Sequence, residues 1–197
     1  DIPTFHPLKI IGMSKDYPYI YKGGKGRAPK VPFILISPDV EEIQDEAFYG
    51  NGVIERLVIP KKVTKMGKNA LRRCSKLKYV IFEEGSSLRH IGEYAFAWCP
   101  LIEMNFPASL ETLGRVGALY DCKELKKVTL SPKMTTIAYS TFHICSSLTA
   151  VEGMNGIQSI GGYAFDSCSS LETIDVNQSA DIDEDAFIYC NARINYI

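Results

Sequence analysis

The chain has 197 residues, of which 46% are hydrophobic and 23% are charged, so it can bury a core and stay in solution as one domain or two small ones. Its formal net charge is −1, which argues against a global field that would attract nucleic acid. Its apolar runs fall short of the roughly 18 residues that cross a bilayer, so we expect no membrane insertion.

Residues 1–39 are rich in Pro, Gly and Tyr and lack the periodicity of the rest of the chain. The run 33–36 precedes Ser-Pro, so we predict it as the strand of a partial repeat, behind an amino-terminal cap that covers the first coil. The basic loop 22–27 lacks the pattern of a phosphate-binding loop. Because the chain opens without a methionine or a signal sequence, we expect either a removed signal peptide or a segment of a longer protein.

Residues 40–197 repeat with a period close to 23 residues, which we predict as one continuous array of about seven repeats. The period is clearest in the cysteines, whose successive gaps are 25, 23, 23, 23 and 22 residues. Such regularity is typical of a solenoid. The six positions are Cys74, Cys99, Cys122, Cys145, Cys168 and Cys190.

Each unit reads I-x-x-x-A-F-x-x-C-x-x-L-x-x-V-x-aliphatic, often followed by Pro. In the first half the apolar spacing of four, five and eight predicts one or two turns of helix or 3-10 structure. The second half, as in 125–130, alternates like a short strand. We therefore predict an α/β repeat solenoid, a right-handed superhelix with a parallel β-sheet on one face and short helical or 3-10 turns on the other.

Two stretches, 91–99 and 160–171, resemble the signature I-g-x-x-A-F-x-x-C-x-x-L of the BspA-like leucine-rich-repeat family, which is found on the surfaces of many bacteria and some parasitic protists. The resemblance covers roughly residues 34–197. It implies a secreted or surface-displayed protein that binds host proteins or other cells. It supplies no catalytic residues, metal or cofactor.

The cysteines allow two interpretations, disulfides or a column of reduced, buried thiols. Equivalent residues in adjacent coils lie about 4.8 Å apart, more than the roughly 3.8 Å between the Cβ atoms of a disulfide, so we predict thiols. A zinc site is disfavoured because the chain has no C-x-x-C. The acidic run 181–185 suggests calcium, but we favour carboxylates at the start of a helical turn, as for Asp45 and Glu46.

We predict that the outward positions of the strands form a binding surface, because the sheet of a solenoid offers an extended area. Tyr79 and Ile81 are the best anchors, since exposed aromatic and apolar groups make hot spots. A register slip of one residue would exchange the two faces of each strand. The candidate residues are Lys78, Tyr79, Ile81, Glu103, Asn105, Lys126, Lys127, Thr129, Thr149, Ala150, Glu172, Thr173 and Asp175.

Charge is segregated along the array: residues 60–82 hold eight Lys or Arg and no acid, whereas residues 134–192 hold eight acids and no Lys or Arg. This pattern is either ordinary solvated surface or a device that orients partners or head-to-tail contacts. We predict a monomeric, non-catalytic adhesion module, extracellular or on the cell surface, that binds a protein or cell-surface ligand and not nucleic acid. The alternative is a structural spacer or assembly segment of a larger surface protein.

Overall fold

The computed structural model describes residues 19–24, 28 and 34–197, so most of the predicted cap and part of the basic loop lie outside the described residues. Over this part the chain is a solenoid with two kinds of parallel strand. The longer strands are β1 Tyr19–Tyr21, β2 Ile34–Ile36, β4 Arg56–Ile59, β6 Tyr79–Phe82, β8 Glu103–Asn105, β10 Lys127–Thr129, β12 Ala150–Glu152, β14 Thr173–Val176 and β16 Arg193–Tyr196. The two-residue strands are β3 Glu42–Ile43, β5 Lys65–Met66, β7 His90–Ile91, β9 Thr112–Leu113, β11 Thr136–Ile137, β13 Ser159–Ile160 and β15 Asp181–Ile182.

The longer strands lie side by side in one row of parallel strands, as predicted, but hydrogen bonding divides the row into the sheets β1–β2, β4–β6, β8–β10–β12 and β14–β16. In the array, equivalent positions of successive units are aligned. Val58 aligns with Ile81, and Val128 aligns with both Met104 and Val151. A strand is present where one was predicted, as β2, and it pairs in parallel with β1. The shorter strands form a second row of parallel pairs from β3 to β9 and from β11 to β15.

One continuous core runs between the two rows of strands, as the repeat predicts. Equivalent side chains from successive coils stack in it, so that the coils bury what a single unit would expose. The ring of Phe165 lies 5.2 Å from that of Phe142 and 5.1 Å from that of Phe187, so these three rings of successive coils form an aromatic stack. Phe142 and Phe165 are fully buried.

The predicted helical face is not supported, and with it the α/β class. Among the described residues the single helix is a 3-10 turn at Met154–Gly156, which follows a long strand. The segment from the first Ile to the Cys of each unit instead forms tight turns. We call this side of the solenoid the turn face, and its turns lie at residues 45–50, 68–73, 93–98, 118–121, 140–144, 162–167 and 184–189.

Hydrogen bonding explains why a turn replaces the helix. In the third of these turns the N–H groups of Tyr94, Phe96 and Trp98 donate to carbonyls of the next coil at 2.9–3.2 Å, and those between them donate within the coil. A helix would direct every N–H along its own axis and leave the coils unlinked on this side. This alternation of N–H directions requires some residues to adopt the left-handed backbone conformation, and φ is 54° at Tyr94 and 60° at Trp98.

The same finding corrects the role predicted for Asp45, which does not face a helix N-terminus. Its Oδ1 accepts a hydrogen bond from the backbone N–H of Lys68 in the next coil, at 2.7 Å. Near the other end, Asp183 Oδ1 accepts from the N–H of Asp185 at 3.0 Å. These carboxylates therefore satisfy turn backbone, as Asp side chains commonly do.

Candidate binding surface

The solvent side of the longer strands, which we call the outer face, carries the side chains predicted from the sequence. The alternation is clear in β4 and β14, where buried residues alternate with exposed ones. Between the predicted residues lie the buried Val80, Met104, Val128 and Ile174, so the predicted strand register is correct. Nine predicted residues are exposed, and Tyr79, Lys127, Thr129 and Ala150 are partly exposed.

The middle of the outer face is a charged network that ties neighbouring coils together. The ammonium of Lys127 lies 2.7 Å from Glu152 Oε1, and the Thr129 hydroxyl donates to Glu152 Oε2 at 3.3 Å. The hydrogen bond from Lys127 lowers the pKa of Glu152 below its ordinary value. Glu152 was missing from the predicted surface, although it follows Thr129 by one 23-residue period and the repeat therefore indicates it.

The charged residues of this face are mainly basic at first and acidic later, but the exposed Glu103 and the exposed Arg193 in the last strand interrupt that order. The exposed Lys78 lies in the amino-terminal part of the array and the exposed Lys126 near its middle, and the exposed acids Glu172 and Asp175 lie in the carboxy-terminal part. Asn195 in the last strand donates to Asp175 Oδ1 at 3.1 Å.

Four large aliphatic side chains lie at the amino-terminal end of the outer face, and we call them the apolar column. Ile20, Leu35, Val58 and Ile81 are 49%, 42%, 39% and 37% exposed. Ile20 pairs with Leu35 and Val58 pairs with Ile81, while β2 and β4 are in contact. Only Ile81 was predicted, yet Leu35, Val58 and Ile81 are spaced by 23 residues, so the repeat contains the signal.

The turn face carries an aromatic cluster that was not predicted from the sequence. The Trp98 ring lies 4.9 Å from that of Tyr120, which in turn stacks on the His143 ring at 4.9 Å. The Arg72 guanidinium lies 4.6 Å from the Trp98 ring centre, and His143 Nδ1 lies 3.0 Å from Asp166 Oδ2. Because the rings and the guanidinium cover one another, we interpret the cluster as a bracing stack between coils.

A shallow groove of about 300 Å³ lies beside the outer face, between residues 82–86 and residues 105–109. In the described part of the chain, no three His, Cys, Asp or Glu side chains are grouped so that they could hold a metal ion. The same residues include no helix with the length and apolar character needed to cross a membrane.

The cysteines form the predicted column of free thiols, with one correction. Cys74, Cys99, Cys122, Cys145 and Cys168 are buried, but Cys190 is partly exposed. Burial raises the pKa of Cys122 to about 12 and raises those of Cys99, Cys145 and Cys168 as well. Because the thiolate is the reactive form, these four thiols are poor nucleophiles and serve as core residues.

The sequence profile of the BspA type leucine rich repeat region matches residues 29–116 and 82–194, in six copies. Together these ranges cover most of the chain. No curated protein sequence matches the chain significantly.

Solved structures share the fold. A leucine rich cell surface protein from Faecalibacterium prausnitzii A2-165 is 25% identical, with a TM-score of 0.57 over 83% of this chain and 53% of that one. A leucine-rich repeat protein from Bacteroides ovatus is 22% identical, with a TM-score of 0.58 over 83% and 50%. A T. pallidum leucine rich repeat protein is 23% identical, with a TM-score of 0.54 over 73% and 79%. The chain thus spans about half the length of the first two proteins.

Proposed function

Since the chain belongs to the BspA-type leucine-rich-repeat family, we propose that it is a non-catalytic binding module that recognises a protein or cell-surface ligand through its outer face. The observation that carries the proposal is the row of outward side chains from Lys78 to Asp175, which the stacked coils hold side by side without a covering element in the described residues. A parallel sheet is usually covered on both faces, so one with a bare side is available to a partner.

The size of the surface determines how a ligand contacts it. Each coil presents two or three outward strand residues, whereas a standard protein interface buries about 800 Å² on each partner. Three or more consecutive coils must therefore contribute. Lys78 and Lys126, which precede Glu172 and Asp175 along the array, would then favour one polarity of a bound partner.

We place the module outside the cell or on its surface. A similar solved structure is described as a leucine rich cell surface protein, and surface display is what the family resemblance implies. The buried thiols are compatible with this location, since reduced cysteines that are buried in a core are protected from oxidants. An assembly or spacer segment is the second candidate function, favoured by the opposite charges of residues 60–82 and 134–192.

The test measures association with a panel of purified extracellular proteins, at low and high salt, for the wild type and two double variants. Lys126→Glu with Lys127→Glu should slow association at low salt, because it reverses charge in the middle of the outer face. Arg89→Glu with Lys133→Glu is the matched control, since both residues are exposed and lie outside the long strands. Equal effects of the two double variants would refute the outer face as the binding surface.

Arg72 and Arg73 are poor controls for this experiment. The guanidinium of each lies within 4.6–5.4 Å of the Trp98 ring centre, so their replacement would disturb the turn face. The spacer alternative is tested by the solution mass of the protein alone. In dilute solution, charge-driven end-to-end association should give a mass that decreases as salt rises, whereas a binding module should stay a monomer at low and at high salt.

A further inference from the structure

The apolar column is the least expected feature of the outer face. On the described part of the chain it holds four of the eight large apolar side chains that remain exposed. Ile20, Leu35, Val58 and Ile81 are contiguous, because they occupy the same outward position in neighbouring strands. A contiguous exposed apolar patch marks an interaction site more often than scattered single residues do.

Two opposite charges lie next to this column, one position before β4 and one position before β6. Glu55 and Lys78 are both exposed, and the N–H of Lys78 donates to the Glu55 carbonyl at 2.9 Å, so they occupy equivalent places in adjacent coils. Two exposed lysines in the neighbouring coils pair with acids of the preceding coil, Lys62 with Asp39 and Lys65 with Glu42. No ion pair joins Glu55 or Lys78 to another described residue.

This pattern is complementary to itself. A two-fold axis that lies along the strand direction, midway between β4 and β6, places β4 of one copy opposite β6 of the other. This rotation preserves the direction of the strands and reverses only the order of the coils. Each residue of one copy therefore faces the equivalent strand position of the second copy. Val58 then faces Ile81 of the second copy, and Glu55 faces Lys78 of the second copy. The symmetry repeats both contacts, as any isologous interface does.

We propose that the outer face of this protein binds a second copy of the same chain through residues 55–81, with Val58 against Ile81 and Glu55 against Lys78. The inference rests on the proposed function, because it uses the same face, and it names a partner for that face. Arg56 and Tyr79 lie between these contacts and are already joined by a cation–π contact of 4.9 Å within each copy.

The size of the patch makes the association weak. Four strands, from β2 to β8, lie around this axis; at about 4.8 Å spacing, with five residues at about 3.3 Å each, they give a footprint of roughly 300 Å² per copy, and Val58 and Ile81 form its apolar centre. This is less than the roughly 800 Å² per partner of a stable complex. The protein is therefore a monomer in dilute solution, and the dimer forms at high local concentration, such as on a crowded surface.

The test is sedimentation equilibrium of the purified full chain, from micromolar to near-millimolar concentration. The wild type should show a dimer that grows with concentration, and Ile81→Asp should weaken association by at least about tenfold, since it buries a charge in an apolar contact. Glu55→Lys and Lys78→Glu should each weaken association when they are alone, because each places like charges opposite one another. The double variant Glu55→Lys/Lys78→Glu should regain the wild-type mass.

Mixing the two single variants is the sharpest test. A Glu55→Lys copy carries two lysines and a Lys78→Glu copy carries two glutamates, so the mixture should associate more strongly than either variant alone. Arg89→Glu and Glu111→Lys are matched controls, since the N–H of Glu111 donates to the Arg89 carbonyl at 2.9 Å in the other row of strands. Neither control should change the mass. Circular dichroism would verify that every variant is folded.

A wild type that stays monomeric at the highest concentration would overturn the proposal, and so would a mixture no stronger than its components. These outcomes are separable from a failure of the proposed function. If the protein stays monomeric but a ligand binds with sensitivity to Lys126 and Lys127, only the homotypic contact is wrong. If Ile81→Asp abolishes the dimer while no panel protein binds, the homotypic contact stands without a second ligand.

Discussion

The thiol of Cys99 donates a hydrogen bond to the backbone carbonyl of Leu71, one coil earlier, at 3.0 Å. The same contact recurs from Cys122 to Phe96 at 3.3 Å and from Cys168 to Phe142 at 3.2 Å. Each thiol therefore links two coils as well as filling the core. The column departs from this pattern at Cys190, whose Sγ approaches the Cys168 carbonyl at 3.4 Å instead.

The column determines how accessible each thiol is to reagents. In the native protein, a thiol reagent should modify Cys190 first, because it is partly exposed, and should leave the five buried cysteines unmodified. After denaturation without reductant, all six should react. The Cys190→Ala variant is the control, and in its native state it should lack the one thiol that reacts fast in the wild type. Several fast equivalents in the wild type, or no free thiol after denaturation, would contradict the thiol column.

Alkaline pH should destabilise the protein through the same residues. Burial raises the pKa of Cys99, Cys122, Cys145 and Cys168 above the ordinary value of 9.0, and that of Cys122 to about 12. Above the ordinary value the unfolded chain loses protons that the folded chain keeps, so the folded state binds more protons. The contribution of these thiols to the free energy of unfolding is therefore complete at lower pH, and it is lost as pH rises from about 9 towards 12.

The expected size of this loss is about 1 kcal/mol per thiol between pH 9 and pH 10, or about 4 kcal/mol for the four. Denaturant unfolding at the two pH values measures it. Cys122→Ala removes one of the four groups and should reduce the loss by about 1 kcal/mol, whatever its effect on stability at neutral pH. An equal pH dependence in the variant and the wild type would show that the thiols are not responsible.

The aromatic stack should contribute strongly to stability. Phe165→Ala should lower the free energy of unfolding by roughly 3–5 kcal/mol, because it removes a fully buried ring that contacts a ring on each side. Phe187→Ala should cost less, since that ring is only partly buried. Chemical unfolding gives both values. A cost below about 1 kcal/mol for Phe165→Ala would mean that the ring does not belong to the core.

The repeat predicted the strands, the register and the core, because apolar residues at a fixed period determine which positions face inward. It did not distinguish a helix from a turn, since Ile91, Ala95, Phe96 and Cys99 have a spacing that suits both. The left-handed backbone conformation of the turns was also not predictable from residue type. Gly or Asn usually mark it, but here Tyr94 and even the β-branched Ile144, with φ of 60°, adopt it.

The binding surface was predictable to the extent that it is periodic. Lys126, Thr129 and Asp175 were predicted from strand alternation, and the period would also have indicated Leu35 and Val58. Ile20 lies only 15 residues before Leu35, outside the period, so no repeat signal identifies it. The turn-face stack of Trp98 on Tyr120 was not predictable, because its members come from two different positions of the unit.

The close stacking of the turns leaves Gly67, Gly92 and Gly114 intolerant of a side chain. A Cβ added to Gly92 would lie 2.6 Å from the Gly67 carbonyl carbon and from the Lys68 nitrogen, both backbone atoms of the previous coil. The N–H of Gly92 also donates to the Met66 carbonyl at 2.8 Å, which holds the two coils together at this point. The backbone therefore cannot move away without loss of a hydrogen bond.

Gly92→Ala should therefore lower the free energy of unfolding by about 2 kcal/mol, within the range that overpacking costs. Gly161→Ala should cost less, because its nearest neighbour, the Tyr139 nitrogen, would lie 3.0 Å from the new Cβ. Gly52→Ala is the control, since its Cβ would meet only the Ser75 hydroxyl at 3.2 Å, which can rotate away. Denaturant unfolding of the three variants measures the order. If Gly92→Ala is no more costly than Gly52→Ala, the coils do not approach one another this closely at the turn.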